Sequence, residues 1–518
     1  MGIKLSESDI QSIIQGVLKN IEQSLPGRKT QHAEAGIGNA RYANVGHAEA
    51  GQTRPEAEET GGSTADKEKG GERGVFAGAE AAIDATSEAQ AAYVRQFSLQ
   101  DRERFIAAIR RATLEQKDVL ASMTWKETKL GRYEDKIAKL ELTATKTPGT
   151  EDLISKAFTG DDGLTLLKEG PFGVIGAVTP VTNPVETVIN NAIGMLAAGN
   201  AVVFNVHPSS KACCAYAVQM INRAVQEAGG PANLVTMVKE PTKDTLDAIA
   251  QSPKVDLLVG TGGPGLVRAL LRSGKKAIGA GAGNPPVVVD DTADIERAAK
   301  EIIAGASFEN NILCIAEKEV FVVDKVADDL LFHMLNHGAY RLDDRELEQV
   351  MSFALEANES GTASGCSLDA KREYRTAKEW IGKDAALFLE KIGVVPGKEV
   401  KLLICEVDFG HPFVQLEQMM PILPIVRVSD LEEAIRLAVL AEQGNRHTAL
   451  MHSTNVANLA AFERAIGTTI FVKNASSLAG VGSGGEGFTT MTIAGPTGEG
   501  LTSARTFTRK MRSVLAER

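Results

Sequence analysis

Paired cysteines are missing from this chain. Its five, Cys213, Cys214, Cys314, Cys366 and Cys405, show neither the Cys-x-x-Cys spacing of a metal ribbon nor the regular pattern of a disulfide framework. No metal site is expected, and a reducing cytosol is the simplest setting. Basic charge is also short: 56 lysines and arginines face 67 aspartates and glutamates, a net charge of -11, which disfavours nucleic acid and anionic membrane as partners. No basic stripe with interleaved aromatics offsets that balance. Long apolar runs are absent too. None approaches the roughly 18 residues of a membrane helix, and Met1–Ile21 lacks the continuous hydrophobic core of a secretory signal.

What is present is length and apolar content. With 518 residues, 43% of them hydrophobic, the chain can bury two or three sizeable cores, so a multidomain soluble protein is expected. Residues 1–22 open with one helical stripe, since Ile10, Ile13, Ile14, Val17, Leu18 and Ile21 fall on a single face, and Ser6 with Asp9 makes a plausible start. Residues 23–73 are rich in Gly, Ala, Glu and Thr and repeat His-Ala-Glu-Ala-Gly at 32–36 and 47–51. Such a tract buries too little to offset its ordering entropy and reads as a flexible linker. An amphipathic helix on a linker of this kind suits docking on a partner.

From Val75 to Thr147 the pattern is helical. Beyond Leu164 strands alternate with helices: strands are expected at Gly173–Val178, Ala201–Val206, Leu234–Val238, Val255–Val259 and Lys276–Ile278, with helices from Val185, Ser210 and Lys243 between them. Gly199 and the Gly229-Gly230-Pro231 run close two of these helices. Repeated βα units predict a mostly parallel sheet covered on both faces, with ligands at the carboxyl ends of its strands. A second α/β block opens near Pro285–Val289, continues through a helix at Ile295–Ala306 and a strand at Glu319–Val323, and later carries Glu417–Arg427, helix Leu431–Ala441 and strand Thr469–Val472. The Gly/Thr/Ser-rich stretch from Gly480 to Gly500 would be mobile unless neighbours pin it.

Three features could carry chemistry. Cys314 lies between a helical run and a β-rich run, where a loop can offer a thiolate to a pocket; a small apolar core residue is the plain alternative. Gly260-Thr261-Gly262-Gly263-Pro264-Gly265 follows a strand and precedes a helix, the setting in which backbone N–H groups receive a pyrophosphate, or simply a tight turn. The acidic residue that usually accompanies it is replaced by the run Gly279-Ala280-Gly281-Ala282-Gly283. Asn183, closing Thr179-Pro180-Val181-Thr182-Asn183-Pro184, could donate its amide to a developing oxyanion or serve as a turn or helix cap.

These segments, with the strand ending Val203-Phe204-Asn205-Val206-His207-Pro208, the Gly279–Pro286 run, Cys314 and Glu417-Gln418-Met419-Met420-Pro421, occur in the order and spacing of the aldehyde dehydrogenase superfamily. The resemblance covers roughly residues 75–518. It is most specific to the CoA-acylating branch, and in particular to the propionaldehyde dehydrogenases of bacterial microcompartments, whose Asn-x-x-Cys-Ile-Ala-Glu-Lys-Glu segment and Arg-Thr-Phe-Thr-Arg ending resemble Asn311–Glu319 and Arg505–Arg509.

The resemblance implies an α/β fold. It has a Rossmann-type cofactor domain (74–153 and 172–281), an α/β catalytic domain (282–475) and a small β oligomerisation arm (154–171 and 490–518). It implies that Cys314 is the nucleophile and Asn183 the oxyanion donor, together with the Cys314 backbone N–H. Thr179, Pro180, His207, Pro208, Thr261, Gly262, Gly263, Gly279, Ala280, Gly281 and Glu417 then face the cofactor, with Glu417 on the nicotinamide ribose. Hydrolytic members carry a Glu at the position of Gly279 and a Lys in the strand where Asn205 and His207 stand. Without that Glu an attacking water has no evident base, so the acyl-enzyme should wait for a thiol. The implied activity is oxidation of a short-chain aldehyde, propionaldehyde before acetaldehyde, with NAD and coenzyme A; a hydrolytic enzyme, or a silent fold serving as a scaffold, are the rivals. Residues 1–22 resemble the encapsulation peptides that bind microcompartment shell or cargo proteins, which implies a place in the compartment lumen, and the oligomerisation arm implies a homodimer or homotetramer.

Overall fold

The structure, a computed structural model, describes residues 73–357 and 374–517. The expected helix over 1–22, nearly all of the expected linker, and Cys366 lie outside the described residues.

Strand β1 (Val75–Phe76) leads into three helices, α1 (Ala79–Gln96), α2 (Leu99–Thr128) and α3 (Tyr133–Lys146). Helix α2 begins where the sequence supplies a reciprocal cap: the Ser98 side chain accepts from Asp101 N while the Asp101 carboxylate accepts from Ser98 N. A hairpin of β2 (Lys156–Gly160) and β3 (Gly163–Pro171) follows. Strands and helices then alternate through β4 (Val174–Val178), α4 (Pro184–Ala197), β5 (Ala201–Asn205), α5 (Lys211–Glu227), β6 (Val235–Val238), α6 (Lys243–Gln251), β7 (Leu257–Thr261), α7 (Pro264–Leu271) and β8 (Ala277–Ala280). These strands form a six-stranded parallel sheet in the order β1-β6-β5-β4-β7-β8. Strand β5 is buried along its whole length, and α4 is buried on every face between the sheet and the helices around it.

The second sheet has seven strands. In chain order they are β9 (Pro286–Val289), then, after α8 (Ile295–Ser307), β10 (Glu319–Val323) and β11 (Ala339–Arg341). A short antiparallel pair, β12 (Leu355–Ala357) and β13 (Tyr374–Thr376), stands apart from this sheet, which resumes with β14 (Leu402–Glu406), β15 (Ile422–Val428), β16 (Thr448–His452) and β17 (Ile470–Lys473). Its order is β11-β14-β15-β10-β9-β16-β17, all parallel. Two short strands, β18 (Ile493–Ala494) and β19 (Gly500–Leu501), pair with each other. The last strand, β20 (Thr508–Ala516), joins β3 so that β2-β3-β20 is a separate antiparallel sheet.

Within Glu417–Arg427, Met419 is left-handed (φ 51°) and the Gln418 amide donates to Ile422 O at 2.8 Å, so extension starts at Ile422 and Glu417 sits in the loop ahead of it. Two expectations need adjustment. The strand expected at Val255–Val259 runs two residues later, carrying Gly260 and Thr261 into the sheet. The Gly480–Gly500 stretch is pinned: Thr489, Thr490 and Thr492 are buried, Thr489 N donates to Lys146 O (3.0 Å), and Met491 N donates to Asn190 Oδ1 (3.1 Å).

Asn200 ties the pieces together. This buried side chain accepts from Phe172 N (2.7 Å) and Gly173 N (3.0 Å), between β3 and β4, and donates to Met195 O in α4 (3.2 Å) and Phe507 O before β20 (2.9 Å). Asn200→Ala strands these groups without partners, so equilibrium urea unfolding should report a loss of about 2–4 kcal/mol; a loss below about 0.5 kcal/mol, the range of ordinary surface changes, would refute this role for Asn200.

Candidate active site

The loop that carries Cys314 begins where α8 stops. Glu309, Asn310 and Asn311 follow with φ of 52°, 53° and 66°, three consecutive left-handed residues without a glycine. Asn tolerates that region, whereas Glu has no such preference, so the loop needs outside support. The support is specific. The Glu309 carboxylate, fully buried, accepts from Arg132 N (2.9 Å) and pairs with Lys136 Nζ (2.9 Å) and Lys139 Nζ (2.8 Å) of α3. Glu309 N donates to the Asp135 carboxylate at 2.8 Å. Asn310 Nδ2 donates to Gly382 O, and Asn311 Nδ2 to Ala306 O and Glu317 O. Lys318, buried beneath the loop, donates to Asn311 O (2.6 Å) and Leu313 O (3.1 Å). Three residues beyond this turn stands Cys314.

Cys314 opens on a pocket walled by apolar side chains that include Leu142, Phe308, Ile315, Met491 and Ile493. Lys139 and Asn183 line the same pocket. The thiol is only partly exposed, and burial first, then the charge of Glu417, push its pKa up to about 12; the Lys318 ammonium and the backbone N–H groups of Cys314 and Ile315 pull the other way. Burial in turn brings Lys318 down to about 8.

Asn183 is the N-cap residue of α4, with Pro184 at the first helical position, yet its side chain makes no capping bond. Instead its Oδ1 accepts from Lys139 Nζ at 2.7 Å. An ammonium has donors only, so the amide must present oxygen to Lys139 and turn Nδ2 away from it. Of the two readings the sequence leaves open, the structure excludes a side-chain cap.

Sheet register gathers the expected cofactor residues. Val178 pairs with Asn205 and with Gly260, and Gly260 pairs with Gly279, so β5, β4, β7 and β8 reach their carboxyl ends in one row. Thr179–Pro180, His207–Pro208, Thr261–Gly263 and Gly279–Gly281 lie at or just beyond that row. The first turn of α7 has no side-chain cap, and a Cβ added at Gly263 or Gly265 would meet nothing within 4 Å, which leaves room for a pyrophosphate. At Gly279 the opposite holds: a Cβ there would lie 2.5 Å from Val267 Cγ1. Glu417 comes to the same cleft, where Gly283 N donates to its Oε1 at 3.4 Å.

Four residues at the site escaped sequence reading: Lys139, Glu309, Lys318 and His447. Lys136 and Lys139 left a usable signal, two lysines three apart on the face of α3 that also buries Leu140 and Thr143. His447 left none. It is buried, its Nδ1 pairs with Thr448 Oγ1 (2.9 Å), its Nε2 has no hydrogen-bond partner, and burial with the Lys318 charge lowers its pKa to about 4. Its ring and the Cys314 carbonyl close on Gly283 from either side, leaving no room for a Cβ.

Known proteins resemble this chain in sequence and in fold. The acetaldehyde dehydrogenase (acetylating) of Salmonella typhimurium is 46% identical over 447 residues, 86% of this chain and 93% of that one. The propanal dehydrogenase (CoA-propanoylating) of Citrobacter freundii is 47% identical over 443 residues, 85% and 92% of the two chains. A crystal structure of Rhodopseudomonas palustris propionaldehyde dehydrogenase with bound CoA and an acylated cysteine matches with a TM-score of 0.81 and 47% identity, over 86% of this chain and 98% of that one. A propionaldehyde dehydrogenase from the Clostridium phytofermentans fucose utilisation microcompartment matches with a TM-score of 0.82 and 46% identity, over 86% and 99%. The sequence profile described as Aldehyde dehydrogenase family covers residues 73–488, and the chain belongs to that family.

Proposed function

We propose that this protein is a CoA-acylating aldehyde dehydrogenase, which oxidises a short-chain aldehyde, propionaldehyde in preference to acetaldehyde, and passes the acyl group to coenzyme A. One observation carries the reading against a hydrolytic enzyme. Position 279, where hydrolytic members hold their water-activating Glu, is a glycine closed off by Val267. Glu417 is the remaining carboxylate near the sulfur, and we assign it to the nicotinamide ribose. The named relatives, an acetylating and a CoA-propanoylating enzyme, agree with this choice.

We assign residues 74–153 and 172–281 to cofactor binding and 282–475 to the catalytic domain. Thr179, Pro180, His207, Pro208 and the turns at Thr261–Gly263 and Gly279–Gly281 would hold the nucleotide along the carboxyl row. When bound, an oxidised nicotinamide nucleotide supplies positive charge near the thiol and takes up hydride, and CoA supplies the acceptor thiol. The Cys314 sulfur adds to the aldehyde carbonyl, and the Asn183 amide with the Cys314 N–H holds the oxyanion. Loss of the aldehyde hydrogen leaves a thioester on Cys314. The incoming thiol gives up its proton as it adds, and the departing Cys314 sulfur takes one up. The cysteine then leaves as the acyl group moves to the new sulfur, one thioester replacing another.

The β2-β3-β20 sheet exposes Phe158, Leu167 and Val514, which the register puts on one face, and we infer that it is the surface joining subunits in a dimer or tetramer. Residues 1–22 serve in this reading to carry the enzyme into a microcompartment lumen by packing on shell or cargo proteins. The relative from the fucose utilisation microcompartment supports that placement.

Mixed with aldehyde and NAD but no CoA, the enzyme should release about one NADH per active site and stop, and Cys314→Ala should release none. Steady carboxylate production without CoA would instead establish the hydrolytic reading. Iodoacetamide alkylation of Cys314 in the resting enzyme should quicken by about tenfold per pH unit from pH 7 to 9, because a thiol raised to about 12 gains thiolate throughout that range; a plateau below pH 9 contradicts the raised value. Removing residues 1–22 should leave turnover intact and abolish co-sedimentation with shells, and persistent co-sedimentation would remove their assigned role.

A further inference from the structure

The reading of Asn183 as oxyanion donor leaves open what holds its amide in the productive orientation. An unrestrained asparagine presents either end of its amide to a pocket, and with the oxygen inward it repels a developing oxyanion. Lys139 faces this amide from α3, and its ammonium reaches three oxygens from two other parts of the chain: Asn183 Oδ1 at 2.7 Å, Glu186 Oε1 at 3.2 Å and Glu309 Oε2 at 2.8 Å. All four side chains are buried. Asn183 and Glu186 belong to the start of α4, and Glu309 to the loop that presents Cys314. Lys139 is therefore a single cationic group bonded both to the amide and to the nucleophile loop.

We propose that Lys139 is a positioning residue for acyl-enzyme formation: it locks the Asn183 amide with Nδ2 toward the pocket and, through Glu309, fixes the spacing between that donor and the Cys314 sulfur. The proposal rests on the assignment of Asn183 and adds to it the group that makes the assignment work. The charge of the ammonium is secure. Burial works against it, but Glu186 and Glu309 outweigh burial and hold its pKa above the ordinary lysine value. Lys136 remains beside Glu309 at 2.9 Å, so loss of Lys139 does not leave that carboxylate without a cation. Lys139 needs no contact with substrate to act in this way. An ammonium on the amide oxygen also draws electrons from the amide nitrogen, making its N–H a stronger donor.

A role that runs through Asn183 has a signature that a general loss of packing lacks. In the full-length enzyme, Lys139→Met should slow the first NADH burst by about a hundredfold, the scale of a lost oxyanion donor, with aldehyde KM changed by less than about threefold. The rate at which iodoacetamide alkylates Cys314 should also stay within about threefold, since alkylation uses the sulfur and not the hole. Lys139→Met/Asn183→Ala should be no slower than Asn183→Ala alone, because both changes remove one function. Lys139→Gln, which keeps a donor for Asn183 Oδ1, should recover part of the burst rate and provides the same comparison if the methionine variant does not fold. A normal burst in Lys139→Met, or losses that multiply in the double variant, would overturn the proposal while leaving Asn183 as donor. A normal burst in Asn183→Ala would overturn the assignment of the donor itself, and the proposal with it.

Discussion

The ion cluster between α3 and the nucleophile loop is the constraint on which the site depends. Three successive left-handed residues are a costly way to turn a chain, at about 1–3 kcal/mol for each strained residue. Glu309 meets that cost by placing its carboxylate against Lys136 and Lys139 in a region with no exposed surface. Buried charges repay their desolvation only when geometry and hydrogen bonding are good, and removing one partner typically costs about 3–5 kcal/mol. The lysines feel the burden unequally: burial and the neighbouring ammonium hold Lys136 below its ordinary pKa, while two carboxylates keep Lys139 above it. The arrangement sets where Cys314 stands at the expense of some stability.

The parallel sheet contributes the second half of the site by register alone. Because β5, β4, β7 and β8 end in one row, residues far apart in sequence meet without long side chains to bridge them. Glycine then decides the chemistry at two points of the same cleft. Gly263 leaves open space ahead of α7, where we assign the pyrophosphate, and Gly279 leaves none for the carboxylate we hold necessary for hydrolysis. A resting thiol raised to about 12 fits a site that becomes reactive once a cation arrives beside it.

Much of the first sheet is legible in the sequence because each βα unit carries its own punctuation. Helix α6 lies where its pattern places it, and Gly199 closes α4 with φ of 86°. Strands β14 and β16 leave no comparable trace, being five residues each of almost wholly buried side chains without alternation, and β11 is only three residues long. The Gly480–Gly500 stretch shows why composition misleads in the other direction. Its threonines look like loop residues, but hydroxyl contacts such as Thr490 to Thr502 (2.8 Å) and Thr492 to Asn191 (3.2 Å) hold it against α4 and itself.

The sequence by itself determined the segment around Cys314, the alternation of strands and helices, the glycine at 279 and the family they identify, since each is a local pattern with a local physical meaning. Tertiary structure alone decided that Lys139 faces Asn183, that the His447 ring and the Cys314 carbonyl crowd Gly283 together, and that Val267 fills the space at Gly279. Those are contacts between residues separated by 44, 133 and 12 positions, counted from their numbers in the chain. No periodicity reports such distances, because packing chooses partners by shape and charge after the chain has folded, not by their order along it.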